Sequence, residues 1–65
     1  MEPHQERVIA ESNELRDRLM KLSIFISQSS TFQTLNYIDQ NLLRQQRDIM
    51  SDYLDILGER IARFR

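Results

Sequence analysis

The sequence predicts an all-α fold, an antiparallel two-helix hairpin that assembles with further copies into a homo-oligomeric helical bundle. Helix-forming residues dominate two long stretches, and apolar residues recur in both at helical spacing. The chain has 65 residues and no cysteine. A chain of this length buries a small core, and here no disulfide can support it. Association with other copies is therefore the expected source of further stability.

One domain, residues 1–65, is expected. Its two helices and the loop between them are predicted over three ranges: about 3–27 for the first helix, about 28–36 for the loop and about 37–64 for the second helix. Pro3 suits a first helical turn, where its missing N–H is not needed. The loop is rich in hydroxyl and amide side chains, which favour turns and caps. Asn36 is the predicted cap of the second helix, with Asp39 in its first turn.

Both helices carry more apolar surface than one neighbouring helix covers. The main stripe of the first helix contains Val8, Leu15, Leu19, Leu22 and Ile26, and a second group in another direction contains Ile9, Met20 and Ile24. The apolar arc of the second helix is about 160° wide at 100° per residue, whereas packing against one neighbour needs about 100°. We therefore expect a homo-oligomer, a dimer or a tetramer.

A line of polar residues interrupts the apolar arc of the second helix. Gln46, Tyr53 and Arg60 recur every seven residues, so they stack along one edge of the helix. One interpretation is a network that fixes the register between helices, with Arg60 paired to Glu11 and Tyr53 bonded to Gln46 or to a carboxylate. The other is a ligand pocket between protomers.

The residue types in the second interpretation suit a nucleotide. Guanidinium and ammonium groups bind phosphates, aromatic rings stack on bases, and amides hydrogen-bond to base edges. In that order, the candidate residues are Arg60, Arg7 and Lys21; Tyr53 and Phe25; and Gln46 and Asn13.

Other kinds of chemistry have little support in the sequence. A net charge of −1 argues against binding to DNA. No apolar run approaches the roughly 18–20 residues that span a membrane. His4 is the only histidine, so neither a catalytic triad nor a metal site is expected. We expect no enzymatic activity and no cofactor.

Several segments resemble a group of very small helical-hairpin proteins from crAss-like and other tailed bacteriophages. On the first helix the resemblance is carried by residues 6–11, by Glu14-Leu15 and by residues 21–26. On the second helix it is carried by an ordered set: Leu42-Leu43, Gln46, Met50, Tyr53, Leu57 and Arg60-Ile61. The resemblance covers nearly the whole chain.

These hairpins are similar to the anti-CBASS and anti-Thoeris sponges, which sequester cyclic-nucleotide immune signals. The resemblance implies a non-enzymatic oligomer that holds a cyclic dinucleotide, such as cyclic GMP-AMP, in the cytoplasm of the infected bacterial host. Better-known sponges carry a Gly-Phe-Met-Ala-Leu-type segment where this chain has residues 48–53, so their pocket residues do not transfer. Two alternatives remain open: a helical protein–protein inhibitor or adaptor acting on a host defence protein, and a small virion or DNA-packaging component.

Overall fold

The computed structural model describes residues 1–64, and these residues form helices and no strand. Helix α1 spans Pro3–Gln28, α2 spans Ser30–Thr34 and α3 spans Tyr37–Ala62. The all-α prediction is confirmed for this part of the chain. Arg65, the last residue of the predicted domain, lies outside the described residues.

The beginnings of both long helices are capped by side chains close in sequence. At α1, the backbone N–H of Glu2 donates to Gln5 Oε1 at 3.1 Å, and Pro3 occupies the first turn. At α3, Asn36 Oδ1 accepts the backbone N–H of Asp39 at 2.9 Å, as the sequence predicts. Each bond satisfies a backbone donor at the edge of a helix; at α3 the donor lies in the first turn, which the helix itself leaves unpaired.

The prediction of a loop over about 28–36 is wrong at its centre, because these residues fold as the short helix α2. Ser29 begins this short helix, since its hydroxyl oxygen accepts the backbone N–H of Thr31 at 3.1 Å. Gln40 closes its other end by donating from Nε2 to the carbonyl oxygens of Phe32 and Leu35, at 3.0 and 3.2 Å. Local side-chain caps therefore stabilise a turn of helix where composition alone favours a loop.

Phe32 anchors α2 to the rest of the molecule. It is buried, its ring meets the Phe25 ring edge-on at 5.9 Å between centroids, and the Arg44 guanidinium lies 5.2 Å from its centroid. Burial of one aromatic side chain and a cation–π contact both favour the helical turn. They also tie the end of α1 to the beginning of α3.

The core lies between α1 and α3. Val8, Leu15 and Leu57 form its buried centre, and four half-buried side chains pack against them: Met50, Leu54, Ile61 and Phe64. The His4 and Phe64 rings meet edge-on at 6.4 Å, which places the beginning of α1 beside the end of α3. The described residues extend 47 Å in one direction and 15 and 14 Å in the other two.

Much apolar surface stays outside this core. Met20 and Ile24 on α1 are exposed, and so are Ile38, Leu42, Ile49 and Ile56 on α3. Met20 and Ile24 belong to the second apolar group of the first helix. The α3 residues other than Ile38 belong to the wide apolar arc that exceeds one helix–helix contact. Within residues 1–64, no helix combines the length and the apolar character needed for a transmembrane segment.

Candidate functional site

Six side chains share one exposed face of α3, which we call the α3 outer face. Leu42, Ile49 and Ile56 repeat every seven residues, and each is followed four residues later by a polar side chain, in order Gln46, Tyr53 and Arg60. At 100° per residue, all six fall within an arc of roughly 80°. The apolar members are 55%, 67% and 53% exposed. Solvent contact on this scale for three large aliphatic side chains in register is typical of a surface that another molecule covers.

Tyr53 links the α3 outer face to α1. Its hydroxyl donates a hydrogen bond to the Glu11 carboxylate. That bond is the main reason why the pKa of Tyr53 is raised above its ordinary value. Partial loss of solvent and the negative charge of Glu11 act in the same direction, and the nearby positive charge of Arg60 opposes them.

The bond between Tyr53 and Glu11 replaces the pairing of Glu11 with Arg60 that the register interpretation expects. Arg60 lies seven residues beyond Tyr53 on α3, which is about 10 Å further along the helix at 1.5 Å per residue. Glu11 is level with Tyr53 and therefore bonds to it. The same interpretation allowed Tyr53 a carboxylate partner, and Glu11 is that partner.

Arg7 and Arg60 lie at the same end of the molecule. Arg7 falls between His4 and Glu11 on α1, and Arg60 falls between Tyr53 on α3 and Phe64, which lies just beyond the end of α3. The contacts of His4 with Phe64 and of Glu11 with Tyr53 bracket the two arginines. Both side chains are exposed, and neither forms an ion pair with another residue in the range 1–64. Two guanidinium groups are thus available to an anion at this end.

Lys21 and Phe25 lie toward the opposite end of α1. Lys21 Nζ is 3.0 Å from Asp17 Oδ2 in an exposed ion pair, and the half-buried Phe25 ring meets Phe32. Along α1 they are 14 and 18 residues from Arg7, or about 21 and 27 Å at 1.5 Å per residue. The structure therefore does not bring these two candidates to the arginines within one chain.

The two amide candidates differ in position. Gln46 belongs to the α3 outer face, is exposed, and donates only a weak bond to Met50 Sδ at 3.8 Å. Asn13 accepts a bond from Arg16 at 3.4 Å. At 100° per residue, Asn13 points about 160° away from Glu11, so it lies on the other side of α1. Gln46 remains on the candidate face and Asn13 does not.

Reasoning from the sequence identified two features of the site only in part. Glu11 was named as a register partner of Arg60 and not as a candidate ligand-binding residue, although it shares an edge of α1 with Arg7 and Arg18. The sequence also placed Leu42, Ile49 and Ile56 in one wide apolar arc with core residues such as Leu57, and did not separate them as the exposed row that they form. Their strict seven-residue spacing, matched by the polar line, is the signal that separates them.

Among residues 1–64, no three His, Asp or Glu side chains cluster so as to hold a metal ion. The same residues enclose no pocket. The exposed face offers positive charge, aromatic surface, amide hydrogen bonds and aliphatic side chains.

The fold and this face define a small all-helical protein with a surface suited to binding. The chain belongs to the Sequestin family, which it matches over residues 2–63. The family name is consistent with a sequestering role. A search of curated proteins and a search of solved structures found no match.

Proposed function

We propose that this protein sequesters a cyclic dinucleotide, such as cyclic GMP-AMP, and withholds it from a bacterial defence effector during phage infection. Membership of the Sequestin family over residues 2–63 is the observation that carries this proposal. Sequestration requires tight binding and no turnover. The protein binds its ligand without cleaving it, in the cytoplasm of the infected cell, and uses neither DNA nor a membrane as a partner.

The chemistry of the exposed face supports a ligand with two phosphates and two bases. Arg60 and Arg7 are available at one end to hold phosphate oxygens through charge-assisted hydrogen bonds. The exposed Tyr53 ring offers a surface for base stacking, and Gln46 offers both a donor and an acceptor to a base edge. Lys21 and Phe25 supply a third positive charge and a second ring.

An oligomer of antiparallel helical hairpins is the assembly that fits this role. Exposed aliphatic residues on both long helices favour association, because covering them removes apolar surface from water. A symmetric homo-oligomer presents every residue at least twice. A cyclic dinucleotide has a matching repeat of base and phosphate, so a site between protomers suits it.

Calorimetric titration with a panel of ligands tests the proposal. The panel contains cyclic dinucleotides, cyclic trinucleotides and cyclic ADP-ribose. We expect a dissociation constant below about 1 μM, or about −8 kcal/mol, for at least one cyclic dinucleotide. The ligand released by denaturing the complex should be intact by chromatography.

A matched pair of arginine variants tests the phosphate assignment. Arg60→Ala should weaken binding of every panel ligand that binds by about tenfold or more, since it removes a charged hydrogen-bond donor. Arg16→Ala removes the same group from the far side of α1 and should leave binding unchanged. Equal affinities for the two variants, with the helical fold retained, would show that Arg60 does not contact the ligand.

The remaining outcomes separate the ligand from the function. Tight binding of cyclic ADP-ribose alone would keep sequestration and replace the cyclic dinucleotide. No binding across the panel, together with one stoichiometric host protein captured from an infected lysate, would replace sequestration of a nucleotide with inhibition of a host defence protein.

A further inference from the structure

The proposed ligand-binding residues are divided between the two ends of a single chain. Arg7 and Arg60 lie at the end where His4 meets Phe64. Phe25 lies at the other end, where Phe32 connects it to Arg44. The separation of about 21–27 Å along α1 is too long for one small ligand to bridge.

We infer that a second copy of this chain packs antiparallel on the α3 outer face and brings the two ends together. Each of two equivalent sites then consists of Arg7 and Arg60 from one copy and Lys21 and Phe25 from its partner. This assignment of the sites rests on the proposed function, whereas the packing of the two α3 helices can be tested without any ligand.

The sequence of the outer face has the alternation that two packed helices require. Residues 42, 49 and 56 and residues 46, 53 and 60 occupy the two inward positions of a heptad repeat. In an antiparallel pair centred on residue 51, each member of one set meets a member of the other. Leu42 then packs against the partner's Arg60, Gln46 against the partner's Ile56, and Ile49 against the partner's Tyr53.

This register places polar groups beside aliphatic ones in every layer and separates like charges. The long aliphatic stem of Arg60 can lie over a leucine while its guanidinium stays in solvent. A parallel pair would instead stack Arg60 on the partner's Arg60. The antiparallel arrangement is thus the one that the charge pattern favours.

The next heptad positions outward complete the pattern. Asp39 and Arg63 occupy the inward positions beyond the six residues of the outer face. In the antiparallel register, Asp39 lies opposite the partner's Arg63 at one end of the paired helices. The equivalent pair, Arg63 with the partner's Asp39, lies at the other end. Asp52 is the exception, because it lies beside the two-fold axis and faces the same negative charge on the partner. Repulsion between two exposed carboxylates lowers the stability of the pair only slightly.

The same register aligns the ends of the two copies. Arg60 of one copy lies level with Leu42 of the other, close to the end of the molecule that holds Phe25. Arg7 lies at the same end of its chain as Arg60 and is therefore brought to that end too. The two-fold axis therefore creates two sites about 27 Å apart, measured from residue 42 to residue 60 along α3 at 1.5 Å per residue.

Disulfide cross-linking tests the packing without ligand, because the native chain has no cysteine. Leu42→Cys and Arg60→Cys are prepared as separate chains with distinguishable tags and mixed under mild oxidation. The antiparallel register predicts a covalent dimer that contains one chain of each kind, and little cross-linking of either variant with itself. Self-linked Leu42→Cys would indicate a parallel pair. A monomeric wild type, together with no cross-linked product from the mixed variants, would indicate no pair. Either result overturns the inference.

Mixing two defective variants tests the composition of the sites. Arg60→Ala and Phe25→Ala chains should each lose at least tenfold in affinity as homodimers. In the mixed dimer, both changes fall in one site and the other site is native. Native mass spectrometry of the mixed dimer should therefore find one tightly bound ligand.

The contrasting results identify which proposal fails. If wild type binds ligand and the mixed dimer binds none tightly, each site is built within one chain and the inference is wrong. If no nucleotide binds to wild type, the proposed function and the site assignment are both wrong. The cross-linking result then still decides whether the two α3 helices pack as inferred.

Discussion

Two faces of α3 have similar amino acids and opposite surroundings. Leu57 faces α1 and is 0% exposed, whereas its neighbour Ile56 is 53% exposed. Leu54 and Ile61 pack against the same core as Leu57, whereas Ile49 is exposed like Ile56. One face stabilises the single chain, and the other has surface left for a second molecule. Apolar character alone therefore does not identify a core in a protein this small; the direction around the helix does.

The contrast should appear most strongly when each face loses side-chain volume. Leu57→Ala leaves a cavity among Val8, Leu15 and Leu57's other neighbours, and we expect it to lower the free energy of unfolding by about 2–5 kcal/mol. Ile56→Ala should change it by less than about 1 kcal/mol. Urea denaturation at a concentration where the chain is monomeric measures both. Equal losses would mean that the two faces do not differ as the structure shows.

A charge on the outer face should have the next largest effect, on association instead of folding. Ile49→Asp should raise the dissociation constant of the inferred dimer by about 100-fold, or ~2.8 kcal/mol, because the carboxylate would be buried against the partner. Ile24→Asp is the control, since Ile24 is 48% exposed on a different face of α1. Analytical ultracentrifugation measures both. A dimer weakened by Ile24→Asp and not by Ile49→Asp would move the interface to the other face.

Removal of the α3 cap should lower stability by a smaller amount and leave both faces intact. Asn36→Ala removes the acceptor for the backbone N–H of Asp39, at an expected cost of about 1 kcal/mol. Thermal unfolding followed by circular dichroism measures it. The cross-link pattern of the α3 outer face should stay unchanged. Asn36→Ser keeps an acceptor at this position without placing a second carboxylate beside Asp39, and it should recover most of the loss.

The smallest effect is a pH dependence that belongs to Tyr53. The Glu11 bond raises the pKa of Tyr53 above the ordinary value of 10.0, so the folded state holds this proton more tightly than the unfolded state. This contribution to stability is present below pH 10 and is lost as the pH rises through the raised pKa. Tyr53→Phe should remove this part of the alkaline loss, and Tyr37→Phe, on an exposed residue, should retain it. Denaturation midpoints between pH 8 and 11 make the comparison; identical profiles would mean that the Glu11 bond contributes nothing.

The sequence predicts the all-α character of this fold well because the relevant signals are local. Pro3 in the first turn of α1 and the Asn36 cap follow from residue type and neighbouring residues. Helical periodicity places Leu57 and Leu54 on the apolar side of α3, where the structure has the core. Local signals fail at α2, where the polar composition favours a loop. Burial of Phe32 and the hydrogen bond from Gln40 on the next helix stabilise a helical turn there instead.

The candidate site is less predictable because its partners come from different helices. Helical spacing identifies the line of Gln46, Tyr53 and Arg60. Which of them meets Glu11 depends on how α1 and α3 are aligned along their axes. That alignment depends on contacts between the two helices along their length, from the core around Leu57 to the His4–Phe64 contact at one end.

Native mass spectrometry of the full chain, with and without the ligand panel, tests the central claim most directly. It reports the number of chains and the number and mass of retained ligands in one measurement. We expect a dimer, or an assembly of dimers, that retains two intact cyclic dinucleotides per dimer. A monomer, or an assembly that retains no ligand from the panel, would contradict sequestration by a site shared between two copies.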